Sequence, residues 1–171
     1  MIYFAFFLII ERGISMESIV SKILDEIDLQ LLRILQTEGQ LSNAEIAKRV
    51  KLSPPATHVR IKRLENEGYI HQRVSILNQE KLGFDLLSII FISTNIHQAE
   101  QLETLEHALE AMPEILECHL LTGEHDYMLK VINKDRRELE NFIRKLNKLG
   151  ITRIQTSLSL REIKYSTVLP I

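Results

Sequence analysis

Two helix starts in close succession constrain this chain more than any other feature. Ser42 and Glu45 spell the S-x-x-E pattern of a capping box, in which hydroxyl and carboxylate each take a free backbone amide at the helix start. Ser53 is a second N-cap, and Pro54 follows at the first helical position, where its missing N–H costs nothing. Between them Ile46 and Val50 point inward and Leu52 occupies a turn. The later helix carries Thr57, Ile61 and Leu64 at i, i+4 and i+7, and stops at Gly68. Upstream, Asp25 caps a helix with Ile27, Leu31, Leu32, Ile34 and Leu35 on an apolar face, ended by Gly39. Two short helices joined by a few residues, the second basic, follow the grammar of a helix-turn-helix. Tyr69 to Leu77 then reads as short extended segments, a wing that carries Arg73.

On a helical wheel Pro55, His58, Val59 and Lys62 lie opposite Thr57, Ile61 and Leu64, on the surface offered to a major groove. His58 and Lys62 can donate to base edges or phosphates, and Val59 can touch a thymine methyl. Arg60 and Arg63 flank this arc and suit phosphate anchoring. The two helix starts, at Ser42 and at Ser53, offer free N–H groups to phosphates as well, and Asn43 and Pro54 beside them are counted with the DNA-facing residues. Each of these residues taken singly reads as a solvated helix side chain; the constellation points to double-stranded DNA.

The formal net charge of −2 speaks against a nucleic-acid binder until its distribution is considered. Lys48 to Arg73 holds seven Lys/Arg (Lys48, Arg49, Lys51, Arg60, Lys62, Arg63, Arg73) and two acids, Glu65 and Glu67. Gln98 to Glu117 holds six glutamates and no Lys or Arg. A basic part and an acidic part cancel in the sum.

The second half follows another rhythm. Leu86–Ile96 is a nearly continuous apolar strand, and Gln98–Met112 a helix with Leu102, Leu105 and Leu109 on one side, broken by Pro113. Ile115–Thr122 and Asp126–Asn133 are strands joined through Gly123–His125. Asp135–Leu149 is a helix with Leu139, Phe142, Ile143 and Leu146 inward, and Ile151–Ile163 a fourth strand. The order β-α-β-β-α-β predicts a ferredoxin-like sandwich, so the chain is α+β. The first strand is too apolar for a wet surface, so the sheet face away from the helices is expected to pack against a second subunit. The division reads as helix-turn-helix domain 16–77, linker 78–85 and second domain 86–171.

Residues 1–15 stand apart. Met1 to Ile10 is almost wholly apolar but reaches only about half of a bilayer's hydrocarbon core, and it lacks a basic n-region and a cleavage site. It reads as an upstream extension, with Met16 as an alternative translation start and a weak membrane anchor as the minority reading. The lone Cys118 leaves no internal disulfide and fits a reducing cytoplasm. Cys118 and His119, as strand neighbours, point to opposite faces and form no metal signature; no metal or cofactor is expected. No G-x-S-x-G, P-loop or Rossmann glycine pattern appears, so no enzyme activity is expected. Glu103, Glu106 and Glu110 at helical spacing read as a solvated face.

The stretches IDLQLLRILQTEGQLSNAEIAKRVKLSP, VRIKRLENEGYI, ECHLLTGEHDYMLKV and GITRIQTSLSLREIK resemble those of the Lrp/AsnC (feast/famine) family of transcription regulators, across roughly Ile27 to Lys164. The resemblance implies a winged helix-turn-helix and a ligand-sensing domain that dimerises through its sheet. It also implies homodimers that assemble further, often to octamers, and a small effector, typically an amino acid, held between dimers. The family's effector loop matches Leu121, Thr122, Gly123, Glu124, His125 and Asp126, with Ile154 and Thr156 of the fourth strand beside it. Taken without the family, Gly123 and Asp126 read as plain turn residues. With it, Gly123 lets a carboxylate approach backbone N–H groups and Asp126 meets an α-amino group. Ile154 is apolar where relatives often carry a polar residue, which points to a hydrophobic amino acid such as leucine or methionine, or to no effector at all. Sirohaem decarboxylases resemble the same two-domain architecture and are the enzyme alternative. They need basic side chains for tetrapyrrole carboxylates, and the first helix of this second domain is acidic.

Overall fold

The computed structural model describes residues 24–171; the expected extension at 1–15 lies outside the described residues. The chain divides into two compact units, 24–75 with 166–171, and 76–165. The expected boundaries shift accordingly. The first unit ends at Ser75 rather than residue 77, and Ser166–Ile171, assigned by sequence to the second domain, belong with the first.

The first unit is a trihelical core of α1 (Glu26–Thr37), α2 (Asn43–Val50) and α3 (Pro54–Asn66). Local chemistry explains each start. Asp25 and Asp28 form a reciprocal capping box on α1, Ser42 and Glu45 do so on α2, and Ser53 accepts from the Ala56 amide on α3. Ends are equally local: Gly68, at φ +80°, terminates α3 in a left-handed conformation that suits glycine. Leu31, Ile46, Val50, Ile61 and Leu64 are buried together with Leu24, as an apolar stripe on each helix requires. The tail closes on α1. The Gln36 amide donates to Leu169 O at 3.0 Å and accepts from Leu169 N at 2.9 Å, and Arg33 Nε donates to Ile171 O at 2.8 Å. Beyond Ile70 the chain runs to Asn78 with no strand, so the extended wing segments form no ladder.

The second unit opens with a 3-10 turn, Glu80–Leu82, inside the expected linker. Four antiparallel strands follow: β1 (Leu86–Thr94), β2 (Ile115–Leu120), β3 (Tyr127–Asn133) and β4 (Ile151–Leu158), in the order β2-β3-β1-β4. Helices α4 (Ala99–Glu110) and α5 (Arg136–Asn147) complete the β-α-β-β-α-β order. Period-two alternation sorts the strands. Ser88, Ile90 and Ile92 of β1 and Leu129 and Val131 of β3 are buried, and the apolar members pack with Leu105, Leu109, Leu139, Phe142 and Leu146 of the helices. Leu87, Ile89 and Phe91 alternate to the other face and remain half-exposed. Register places Met128, Lys130, Gln155 and Ser157 beside them.

Candidate nucleic-acid interface and ligand loop

The helical unit presents α3 by two mechanisms. Burial of Thr57, Ile61 and Leu64 fixes which side faces in, so Pro55, His58, Val59 and Lys62 are all exposed, Val59 at 67%. Asn43, the first residue of α2, reaches His58: its Nδ2 lies 3.0 Å from His58 Nδ1. Ser42, Ser53 and Pro54 sit at the exposed helix starts, as the caps require.

The second mechanism was not legible in the spacing. Arg60 Nη1 donates to Asp25 Oδ2 at 2.5 Å and to Asp28 Oδ1 at 2.9 Å, while Arg63 Nη2 donates to Asp28 Oδ2. Asp28 is only 1% exposed. Both arginines are therefore bound to carboxylates of α1 and its cap, a clamp between α1 and α3. The physical reason is charge pairing: a carboxylate this deeply buried requires a partner, and the nearest cations are on α3. The backbone amide of Asp28, with help from Arg60, holds the Asp25 carboxyl below its ordinary value against a smaller effect of burial.

The same pairing thins the basic patch. Arg49 binds Glu38 through two contacts, one of them at 2.9 Å, and Lys62 and Arg73 both reach Glu65, at 3.0 Å and 2.9 Å. Arg73 is thus tied back to α3 rather than raised on a wing strand. With the clamp, five of the seven cations counted between Lys48 and Arg73 have a carboxylate partner. Sequence reading also missed Lys51. It adopts φ 55°, ψ 41° at the end of α2, the left-handed step that lets the chain turn into α3. No local signal marks a lysine for that conformation.

In the second unit the loop 121–126 joins β2 to β3, and its backbone is tied at both ends. Leu121 N donates to Asp126 O at 2.8 Å, and Asp126 N donates to Ile92 O at 3.0 Å. Asp126 Oδ2 accepts from the Thr94 amide at 2.7 Å, so one carboxylate oxygen holds the loop to β1. Gly123, at φ +127°, is a conformation that a side chain would strain. Thr122, Gly123 and Glu124 are exposed. The ring of His125 stacks on Phe91 with centroids 5.2 Å apart. Glu124 accepts from Arg153 Nη1 at 2.9 Å. Arg153 thereby links loop to β4, a contact that sequence reading did not anticipate. Ile154 packs half-buried against the sheet–helix core, and Thr156 on the same strand face is exposed. The apolar character of Ile154 thus has a packing reason of its own. Cys118 and His119 pair with Leu129 and Met128, on opposite faces as expected. Among the described residues no three His, Cys, Asp or Glu side chains gather to hold a metal ion.

A helix-turn-helix with an exposed arc, joined to a ferredoxin-like unit with a tied loop, defines a two-domain DNA-binding regulator. A winged helix-turn-helix DNA-binding model matches residues 24–71, and the Lrp/AsnC ligand binding domain model matches residues 87–169. The chain belongs to the Lrp/AsnC family of transcription regulators. It is 33% identical over 150 residues to the transcriptional regulator AzlB of Bacillus subtilis, covering 86% of this chain and 96% of that one. It is 35% identical over 152 residues to the leucine-responsive regulatory protein of Escherichia coli K12, covering 88% and 93%. Among solved structures it resembles an AsnC family regulator from Agrobacterium tumefaciens, with TM-score 0.82, 31% identity and coverage of 86% and 97%. It also resembles a Neisseria meningitidis regulator in complex with L-methionine, with TM-score 0.81, 34% identity and coverage of 86% and 96%.

Proposed function

We propose that this regulator reads DNA with the exposed arc of α3 and changes its activity on binding a hydrophobic amino acid at the 121–126 loop. The observation that carries the first part is the opposition of Pro55, His58, Val59 and Lys62 to the buried Thr57, Ile61 and Leu64. His58, Val59 and Lys62 address base edges, and the start of α2 at Ser42–Asn43 approaches phosphates, whereas Pro54 and Pro55 give α3 no N–H there and Ser53 Oγ takes the Ala56 amide. Arg73 flanks them, while Arg60 and Arg63 hold α3 in place.

The loop supports the second part. Asp126 Oδ2 is engaged by Thr94, which orients the carboxylate and leaves Oδ1 for an ammonium group. Thr122, Gly123 and Glu124 are exposed, and their amides would meet a carboxylate. The methionine complex of the Neisseria relative supports an apolar side chain.

In this reading two copies pair through the half-exposed Leu87, Ile89 and Phe91, present two α3 helices to a roughly palindromic site, and assemble to an octamer. The protein works in the cytoplasm, where the DNA is. Among the described residues no helix is long and apolar enough to cross a membrane.

Selection of bound fragments from genomic DNA by the purified chain, with and without leucine, methionine, aspartate or lysine, tests both parts. Altered Val59 or Lys62 is expected to shift the preferred site, and Asp126→Ala to spare DNA binding while removing the amino-acid response. An unshifted site in the α3 variants refutes the reading helix. A response confined to aspartate or lysine refutes the hydrophobic effector.

A further inference from the structure

The assignment of α3 leaves undecided which chemical edge His58 offers, and a residue on another helix decides it. His58 lies one turn into α3 and is exposed; Asn43 opens α2 and is exposed beside it. Between them Asn43 Nδ2 lies 3.0 Å from His58 Nδ1, within hydrogen-bond distance. An amide NH2 donates and cannot accept, so Nδ1 is the acceptor. A neutral imidazole carries one proton, and with Nδ1 accepting that proton resides on Nε2.

We infer that Asn43 is a positioning residue that sets the tautomer of His58, so that α3 offers the groove a lone N–H donor at this point and selects guanine. The inference rests on α3 being the reading helix. Its chemistry follows from the four major-groove edges. Guanine presents two adjacent acceptors, N7 and O6, whereas adenine places a donor beside its N7, thymine a methyl beside its O4, and cytosine a donor. A lone donor is attracted by both guanine acceptors and repelled by the cytosine amino group. Released from Asn43, the ring can place its proton on either nitrogen, and the discrimination weakens.

The test uses the full chain and randomised duplex DNA, followed by competition with duplexes in which 7-deazaguanine replaces guanine at the selected position. Wild-type protein is expected to favour guanine by about threefold to tenfold at one position of each half-site, the range of one neutral hydrogen bond, and to lose a similar factor with the deaza base. Asn43→Ala is expected to reduce both factors to about twofold or less, and His58→Ala to remove them. The double variant should add nothing to His58→Ala, since both act through one contact. Alanine is a good helix former at the exposed first position of α2, and the Ser42–Glu45 box is untouched, so an unchanged circular dichroism spectrum is expected.

Two outcomes overturn the inference alone: a guanine preference that survives Asn43→Ala, or a wild-type preference for another base, of which cytosine, whose groove edge is a donor only, would mean that Nε2 accepts. A selected site indifferent to His58→Ala overturns the reading of α3 along with it. The deaza competition on unmodified protein decides the donor's partner even without a variant.

Discussion

Asp28→Asn separates a structural arginine pair from a DNA-contacting one. Asp28 is 1% exposed and accepts from Arg60 and Arg63 at once, and its carboxylate also accepts from the Asp25 amide at 3.1 Å. Asparagine preserves the shape but removes the charge and turns an N–H2 toward a guanidinium. Removing one partner from a fully buried ion pair costs about 3–5 kcal/mol. Here the arginine side chains are 32% and 40% exposed and regain water, so the cost falls toward that of one charge-assisted hydrogen bond, about 2 kcal/mol. That corresponds to roughly 30-fold in an opening equilibrium. The assay is hydrogen exchange of the full chain, read by peptide. Segments from α1 and α3 should exchange about 30-fold faster, and those from β1 to β4 should not change. Arg60→Met should act in the same direction and leave the slope of log affinity against log salt unaltered, because a clamp releases no counterions. If exchange in α1 and α3 is unmoved and the Arg60→Met slope falls by about one, Arg60 is a phosphate anchor and the clamp is refuted.

Two further outcomes follow from local conformation and burial. Lys51→Gly relieves a left-handed lysine, at some cost in unfolded-state entropy; a net gain of about 0.5–1 kcal/mol is expected, measured as slower exchange in α2 and α3. Burial, then the hydrogen bond and charge of Glu106, push the Tyr127 hydroxyl up to about 12. The folded state therefore keeps this proton more tightly than the unfolded chain does, whose tyrosine titrates near about 10. Stability held at and below about pH 10 should decline as pH rises toward about 12. Tyr127→Phe should flatten that decline in urea melts followed across the alkaline range.

What could be read from the residues was what neighbours along the chain decide. Capping boxes, N1 proline, helical stripes and strand alternation act over a few residues. For that reason the starts at Ser42 and Ser53, the inward set Thr57, Ile61 and Leu64, and the β-α-β-β-α-β order were all legible. The wing was less so: Tyr69–Leu77 has strand-like composition, but ladder pairing requires a partner strand, and none forms among the described residues.

Charge is where the tertiary structure overrules the sequence. Counting cations between Lys48 and Arg73 treats them as one patch. The fold brings Asp25, Asp28 and Glu38 from α1 and its end onto that patch, up to 35 residues away in the chain. Coulomb attraction depends on distance in space and on exposure, neither of which a window in sequence contains. The residues alone therefore determined that there is a helix-turn-helix and which arc of α3 faces outward. Only the folded molecule decided that Arg60 and Arg63 hold that arc in place, that Arg153 reaches the 121–126 loop, and that Asn43 stands against His58.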